Sequence, residues 1–225
     1  MTGSLISAGL RARVRELATP IALALGSLGL TPNVLTFIGF LGSGIAAVAA
    51  AQQAWLVAGI LVIAFGVFDL FDGALARASN RVSRLGAFYD SVFDRAGELL
   101  VYLGILWGAL DFGLWLPVVL TVAAMAAATM VSYTRAKSES LGFTQGSGMA
   151  AIGLAPREVR LAILSLGLIV AGLLPGFPVD TDGAGGAAYP PSGLVLDISL
   201  GLIAILATIT TIQRILHVRA QAKEG

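Results

Sequence analysis

Six apolar runs divide the 225-residue chain, over about 33–52, 54–77, 84–110, 114–136, 158–176 and 193–214. A hydrocarbon core of about 30 Å takes about 20 residues of helix to cross. A span must also satisfy its own backbone N–H and C=O groups, because lipid offers them no partner. Repeated six times, runs of this length imply an all-α integral membrane protein. Turn chemistry separates them, as in Thr31-Pro32-Asn33 before the first run and the Gly/Pro-rich stretch from Pro175 to Gly193 before the last. With 57% hydrophobic residues, 12% charged residues and a mean hydropathy of +0.89, the chain has too little charge to cover a soluble surface.

The first thirty residues read differently. Arg11, Arg13, Arg15 and Glu16 alternate with Leu5, Ile6, Leu10, Val14 and Leu17, which predicts a short amphipathic helix on the membrane surface rather than a cleavable signal peptide. A second short helix over about 19–29 is too short to cross and is also expected at the interface. No internal repeat is evident, so residues 1–30 form an N-terminal interfacial segment and residues 31–225 a single six-span domain.

Basic residues orient the spans. Arg11, Arg13 and Arg15 precede the first; Arg77, Arg81 and Arg84 lie between the second and third. Arg135, Lys137, Arg157 and Arg160 flank the connection between the fourth and fifth, and Arg214, Arg219 and Lys223 follow the sixth. The connections near Gln52-Gln53, at Asp111 and over 177–192 hold no Lys or Arg. The positive-inside rule therefore places both ends of the sequence in the cytosol. Trp55, Trp107 and Trp115 read as interfacial anchors. Asp111, Asp180 and Asp182 read as solvated outer-loop residues.

Ionisable residues within spans are costly and usually functional. Asp69 and Asp72, three apart, share one face of the second span; Asp90 and Asp94, four apart, share one face of the third, with Glu98 one turn further on. A short link makes the two spans antiparallel neighbours, and Arg77, Arg81 and Arg84 mark the cytosolic boundary. Packed together in low dielectric, four carboxylates need compensating charge. Arg77 and Arg95 offer part of it, and divalent cations can supply the rest. The chain has no cysteine and one histidine, His217, which excludes thiolate sites and argues against a histidine-rich one. Carboxylate oxygens alone suit Mg²⁺, Mn²⁺ or Ca²⁺. Two further readings stand beside this one: acids that fix helix register, and a cation pathway through a transporter.

The stretch Asp69-Leu-Phe-Asp72-Gly73-Ala-Leu-Ala76-Arg77, followed after eight residues by Gly86 and then by Asp90 and Asp94, resembles the D-x2-D-G-x2-A-R-x8-G-x3-D-x3-D signature of the CDP-alcohol phosphotransferases. All eight specified positions match over 26 residues. The resemblance implies transfer of a phosphatidyl group from CDP-diacylglycerol to an alcohol with release of CMP. It makes Asp69, Asp72, Asp90 and Asp94 ligands of two Mg²⁺ or Mn²⁺ ions, and Asp94 also the general base. Gly73, Ala76, Arg77, Ser83 and Gly86, with Asp69, would bind the CDP-lipid. A homodimer within membrane lipid is implied as well, and nothing points to nucleic acid as a partner.

For the acceptor, Ser132-Tyr133-Thr-Arg135-Ala-Lys137-Ser-Glu139, Gly153-Leu-Ala-Pro-Arg157-Glu-Val-Arg160-Leu161 and Ile212-Gln213-Arg214 resemble three segments of the phosphatidylinositol-phosphate synthases within that family. The resemblance implies that Arg135, Arg157, Arg160 and Arg214 hold the phosphate of L-myo-inositol 1-phosphate, through the forked donors that suit a phosphate monoester. Arg135 stands where that group usually has lysine, Pro156 where it usually has glutamate, and the Gly-rich loop 141–153 is longer than expected. Glycerol 3-phosphate remains the rival acceptor.

Overall fold

The computed structural model describes residues 8–111, 115–143, 152–174 and 190–224. Asp180, Asp182 and most of the Gly-rich loop lie outside these residues. The described residues form eight helices: α1 (Ala8–Ser27), α2 (Pro32–Ala51), α3 (Trp55–Gly66), α4 (Phe68–Ala78), α5 (Arg84–Asp111), α6 (Trp115–Ser140), α7 (Arg157–Leu173) and α8 (Pro191–Glu224). Among them there is no strand.

Local chemistry sets the boundaries around the carboxylates. Thr31 caps α2, its hydroxyl accepting from Val34 N–H at 3.4 Å, and Pro32 occupies the first turn, where no N–H is needed. The second apolar run is divided at Val67, which stays helical (φ −70°, ψ −26°) and keeps its N–H on Ile63 O at 3.1 Å. α3 and α4 thus form a nearly continuous helix. Asn80, in the left-handed region at φ 55°, ends α4, and Ser83 starts α5 by accepting from Gly86 N–H at 3.0 Å. This short turn folds α5 back towards α4.

Helix pairing is close because small residues line the contacts. α2 packs along α5, α3 along α7 and α6 along α8. A Cβ on Gly104 of α5 would run into the backbone carbonyl of Ala47 on α2, and one on Gly59 of α3 would lie 2.8 Å from Ser165 O on α7. Such backbone approach suits helices in lipid, where packing rather than apolar burial joins them. The outward faces are apolar: Ile198, Leu202, Ile205, Ile209 and Ile212 form an exposed stripe on α8, while Leu196, Leu200, Ile203 and Ala207 face the core.

Among the described residues, four helical stretches are long and apolar enough to cross a membrane: Pro32–Ala51, Trp55–Ala78, Trp115–Ser140 and Pro191–Lys223. The chain is a helical integral membrane protein. α5 carries Arg84, Asp90, Asp94, Arg95, Glu98 and Asp111, and α7 is 17 residues long, so neither shows the plain apolar signature.

Two expectations need correction. Among the described residues the N-terminal region is one helix, α1, rather than two pieces, while Leu5 and Ile6 lie outside them. Pro20 lies inside it on an exposed face, where the hydrogen bond that proline cannot donate is replaceable by solvent or headgroups. α1 packs on α4 through Ala18, Ala22, Ala74 and Leu75. Trp55 is not an interfacial anchor: it is 7% exposed and packs over Gly108, where a Cβ would come within 2.8 Å of its ring.

Candidate active site

α4 supplies Asp69 and Asp72, and α5 supplies Asp90. One carboxylate oxygen from each lies within 4.8 Å of the other two. Asp72 is buried, and the Thr36 hydroxyl of α2 donates to its Oδ2 at 2.5 Å. Three carboxylate oxygens at this spacing, with no sulfur or imidazole beside them, fit a hard divalent cation. Thr36 orients one of them, as outer-sphere donors at metal sites do.

Asp94, one turn along α5, is tied to a different partner. Arg157, in the first turn of α7, places Nη1 2.9 Å from Asp94 Oδ2 and 2.8 Å from Asp69 Oδ2. Its Nε is buried and has no hydrogen-bond partner. One turn deeper, Arg160 grips Glu98 with both arms of its fork, Nε to Oε1 at 2.9 Å and Nη2 to Oε2 at 2.8 Å.

The three-carboxylate group sits between two cavities. One, of about 280 Å³, is lined by Asp72, Asp90, Gly73, Ala76, Arg77, Ser83 and Gly86. A Cβ on Gly86 would lie 3.0 Å from Ser83 Oγ and 3.3 Å from Asn33 Oδ1, and one on Gly73 3.2 Å from the Arg77 guanidinium. Side chains at either glycine would narrow this space. The other cavity, of about 570 Å³, is walled by Asp69, Asp94, Arg135, Arg157, Arg160 and Arg214. Asp69 and Asp94 reach one cavity, Asp72 and Asp90 the other, so a group held at the carboxylates meets both.

The model of the CDP-alcohol phosphatidyltransferase family matches residues 29–213. The chain belongs to this family. It is 34% identical over 216 residues to the archaetidylinositol phosphate synthase of Pyrococcus horikoshii, covering 96% of this chain and 98% of that protein. It is 33% identical to the phosphatidylinositol phosphate synthase of Mycolicibacterium smegmatis, covering 93% of this chain and 86% of that protein. Among solved structures, the Mycobacterium tuberculosis phosphatidylinositol phosphate synthase with CDP-DAG bound superposes with a TM-score of 0.73 at 29% identity, over 90% of this chain and 94% of that one. The same enzyme in complex with manganese and citrate gives a TM-score of 0.72 at 29% identity, over 90% and 88%.

As a CDP-alcohol phosphatidyltransferase, the chain brings its motif residues together in two groups. Asp69, Asp72 and Asp90 gather; Asp94 stands beside them on Arg157. Gly73, Ala76, Arg77, Ser83 and Gly86 share one cavity, and the four arginines share the other. The arginines are not equivalent. Arg135 is 43% exposed and pairs with Glu139 at 2.9 Å. Arg214 is buried, its Nε donating to Ile152 O at 3.1 Å and its Nη1 to Val131 O. Arg160 is 1% exposed with every guanidinium nitrogen engaged, the third on Ala155 O at 3.0 Å. The family resemblance implies a phosphate ligand here, whereas the geometry commits the Arg160 fork to Glu98. Thr36, which the family signature does not include, carries one sequence signal, a hydroxyl inside the first apolar run.

Proposed function

We propose that the protein transfers the phosphatidyl group of CDP-diacylglycerol to L-myo-inositol 1-phosphate and releases CMP. The observation that carries this reading is the carboxylate group standing between a glycine-walled cavity and an arginine-walled one. The first cavity suits the cytidine diphosphate, whose backbone approach Gly73 and Gly86 permit. The second suits a polar acceptor bearing a phosphate monoester. The relatives' names differ in the lipid, archaetidyl or phosphatidyl, and share the inositol phosphate.

In the reaction, the acceptor hydroxyl oxygen forms a bond to the lipid-bearing phosphorus, and the bridging P–O bond to CMP breaks. The hydroxyl proton passes to Asp94, a carboxylate within reach of the arginine-walled cavity. Two divalent cations, Mg²⁺ or Mn²⁺, held by Asp69, Asp72, Asp90 and Asp94 would neutralise the diphosphate and the charge developing on CMP. Arg77 contacts the diphosphate from the nucleotide side. Arg157 orients Asp94 and offers its unused donors to the acceptor phosphate, with Arg135 and Arg214 on the same wall.

The same reading keeps six spans, with α5 and α7 as the charged and the short member. It places both ends of the sequence and the site on the cytosolic side, α1 at the interface, residues 31–225 as the catalytic domain, and the enzyme as a homodimer. The test is CMP release by purified protein supplied with CDP-diacylglycerol and inositol 1-phosphate, inositol or glycerol 3-phosphate in turn. Release with inositol 1-phosphate alone is expected. Release with glycerol 3-phosphate and not inositol 1-phosphate overturns the assignment.

A further inference from the structure

Glu98 lies outside the family signature, yet it continues the face of α5 that carries Asp90 and Asp94, at four-residue steps. Opposite stands α7, with Arg157 and Arg160 three residues apart on one face. The result is a ladder of two rungs, Asp94 with Arg157 and Glu98 with Arg160. Among the described residues, α7 packs on α3 and α8, and α5 on α2 and α6; the two share no comparable packing with each other. The ladder bridges them along the wall of the arginine-lined cavity.

The two rungs differ in burial. In the first, Arg157 is 23% exposed and Asp94 19%; in the second, Arg160 is 1% exposed and Glu98 4%. A buried ion pair costs both partners their hydration, and apolar residues of the same volume are often as stabilising or more so. Stability is thus a weak reason for such a pair, and what it does supply is position. Arg160 also donates to Ala155 O, two residues before α7 begins at Arg157. Glu98 therefore holds, through one guanidinium, both the first turn of α7 and the segment leading into it. Arg157 is carried by that turn.

We propose that Glu98 is a positioning residue for acceptor binding: through Arg160 it fixes the start of α7 and so aims Arg157 into the acceptor cavity beside Asp94. Arg160 on this view does not touch the acceptor. The proposal rests on the assignment of the arginine-walled cavity to inositol 1-phosphate.

The test compares wild type, Glu98→Gln, Arg160→Gln and the double variant in full-length protein, with KM measured separately for inositol 1-phosphate and CDP-diacylglycerol. Each single change leaves one buried charge without its partner, whereas the double leaves two neutral amides and no unpaired charge. The double variant therefore carries the test if a single variant does not fold. The expected result is a rise of about ten-fold in KM for inositol 1-phosphate, within the range a misplaced contact produces, with KM for CDP-diacylglycerol within about two-fold of wild type. The double should cost no more than the worse single variant that folds, because the pair acts as a unit. Unchanged KM values, or an equal rise in both, overturn the positioning role alone. Wild-type protein that releases no CMP with inositol 1-phosphate sinks the acceptor assignment, and the positioning role with it.

Discussion

Thr36→Val removes one hydroxyl and tests whether the carboxylate group is a built metal site. In the native chain that hydroxyl lies 2.5 Å from Asp72 Oδ2 and 3.1 Å from Pro32 O. Asp72 is 5% exposed, so solvent does not replace the lost donor. Two effects oppose one another. Losing the donor leaves more charge on Oδ2 for a cation, but it frees the carboxylate to turn and leaves a buried lone pair unsatisfied. A hydrogen bond to a charged group is worth about 1.5–3 kcal/mol, and outer-sphere changes at metal sites cost about 10–100-fold in affinity or activity. The second effect should dominate. Titration of purified protein with Mn²⁺, followed by the loss of the free-ion electron paramagnetic resonance signal, should show affinity about 10- to 100-fold weaker in the variant. Affinity within two-fold of wild type, or tighter, would refute the orienting role.

Asp94→Asn should lower kcat by about 10²- to 10⁴-fold while CDP-diacylglycerol still binds, measured by single-turnover CMP release beside equilibrium binding; retained turnover removes Asp94 from the base role. Arg214→Glu should raise KM for inositol 1-phosphate by more than ten-fold and leave KM for CDP-diacylglycerol nearly unchanged; an equal loss of both undercuts its place at the acceptor. Gly104→Val should push α2 from α5, because its Cβ meets the Ala47 carbonyl. A loss of about 1–3 kcal/mol, read as a lower Tm in detergent, is expected, and an unchanged Tm would show that the contact yields.

Much of this was legible in the sequence because lipid makes its rules visible there. Apolar runs give the helices, and acids within them stand out: Asp69, Asp72, Asp90 and Asp94 fell on matched faces by spacing alone. The motif then assigned Gly73, Ala76, Arg77, Ser83 and Gly86 to the nucleotide side, and all line one cavity. What stayed hidden depends on contacts across the fold. A tryptophan at the end of an apolar run reads the same whether it meets headgroups or, like Trp55, lies over a glycine such as Gly108. Basic residues at the ends of apolar runs satisfy the positive-inside pattern whatever they touch, so nothing separated Arg160, clasped by Glu98, from Arg135, open to solvent. The second short helix expected over about 19–29 is not separate, because the exposed position of Pro20 lets α1 continue through it. Thr36 is one hydroxyl among many, significant only because α2 lies against α4.

The most direct measurement is anomalous diffraction at the manganese edge from crystals soaked in Mn²⁺. The expected result is a peak between α4 and α5, at direct ligand distance from the carboxylates of Asp69, Asp72 and Asp90. Crystals that take up manganese elsewhere, with no density between those two helices, would contradict a metal centre there.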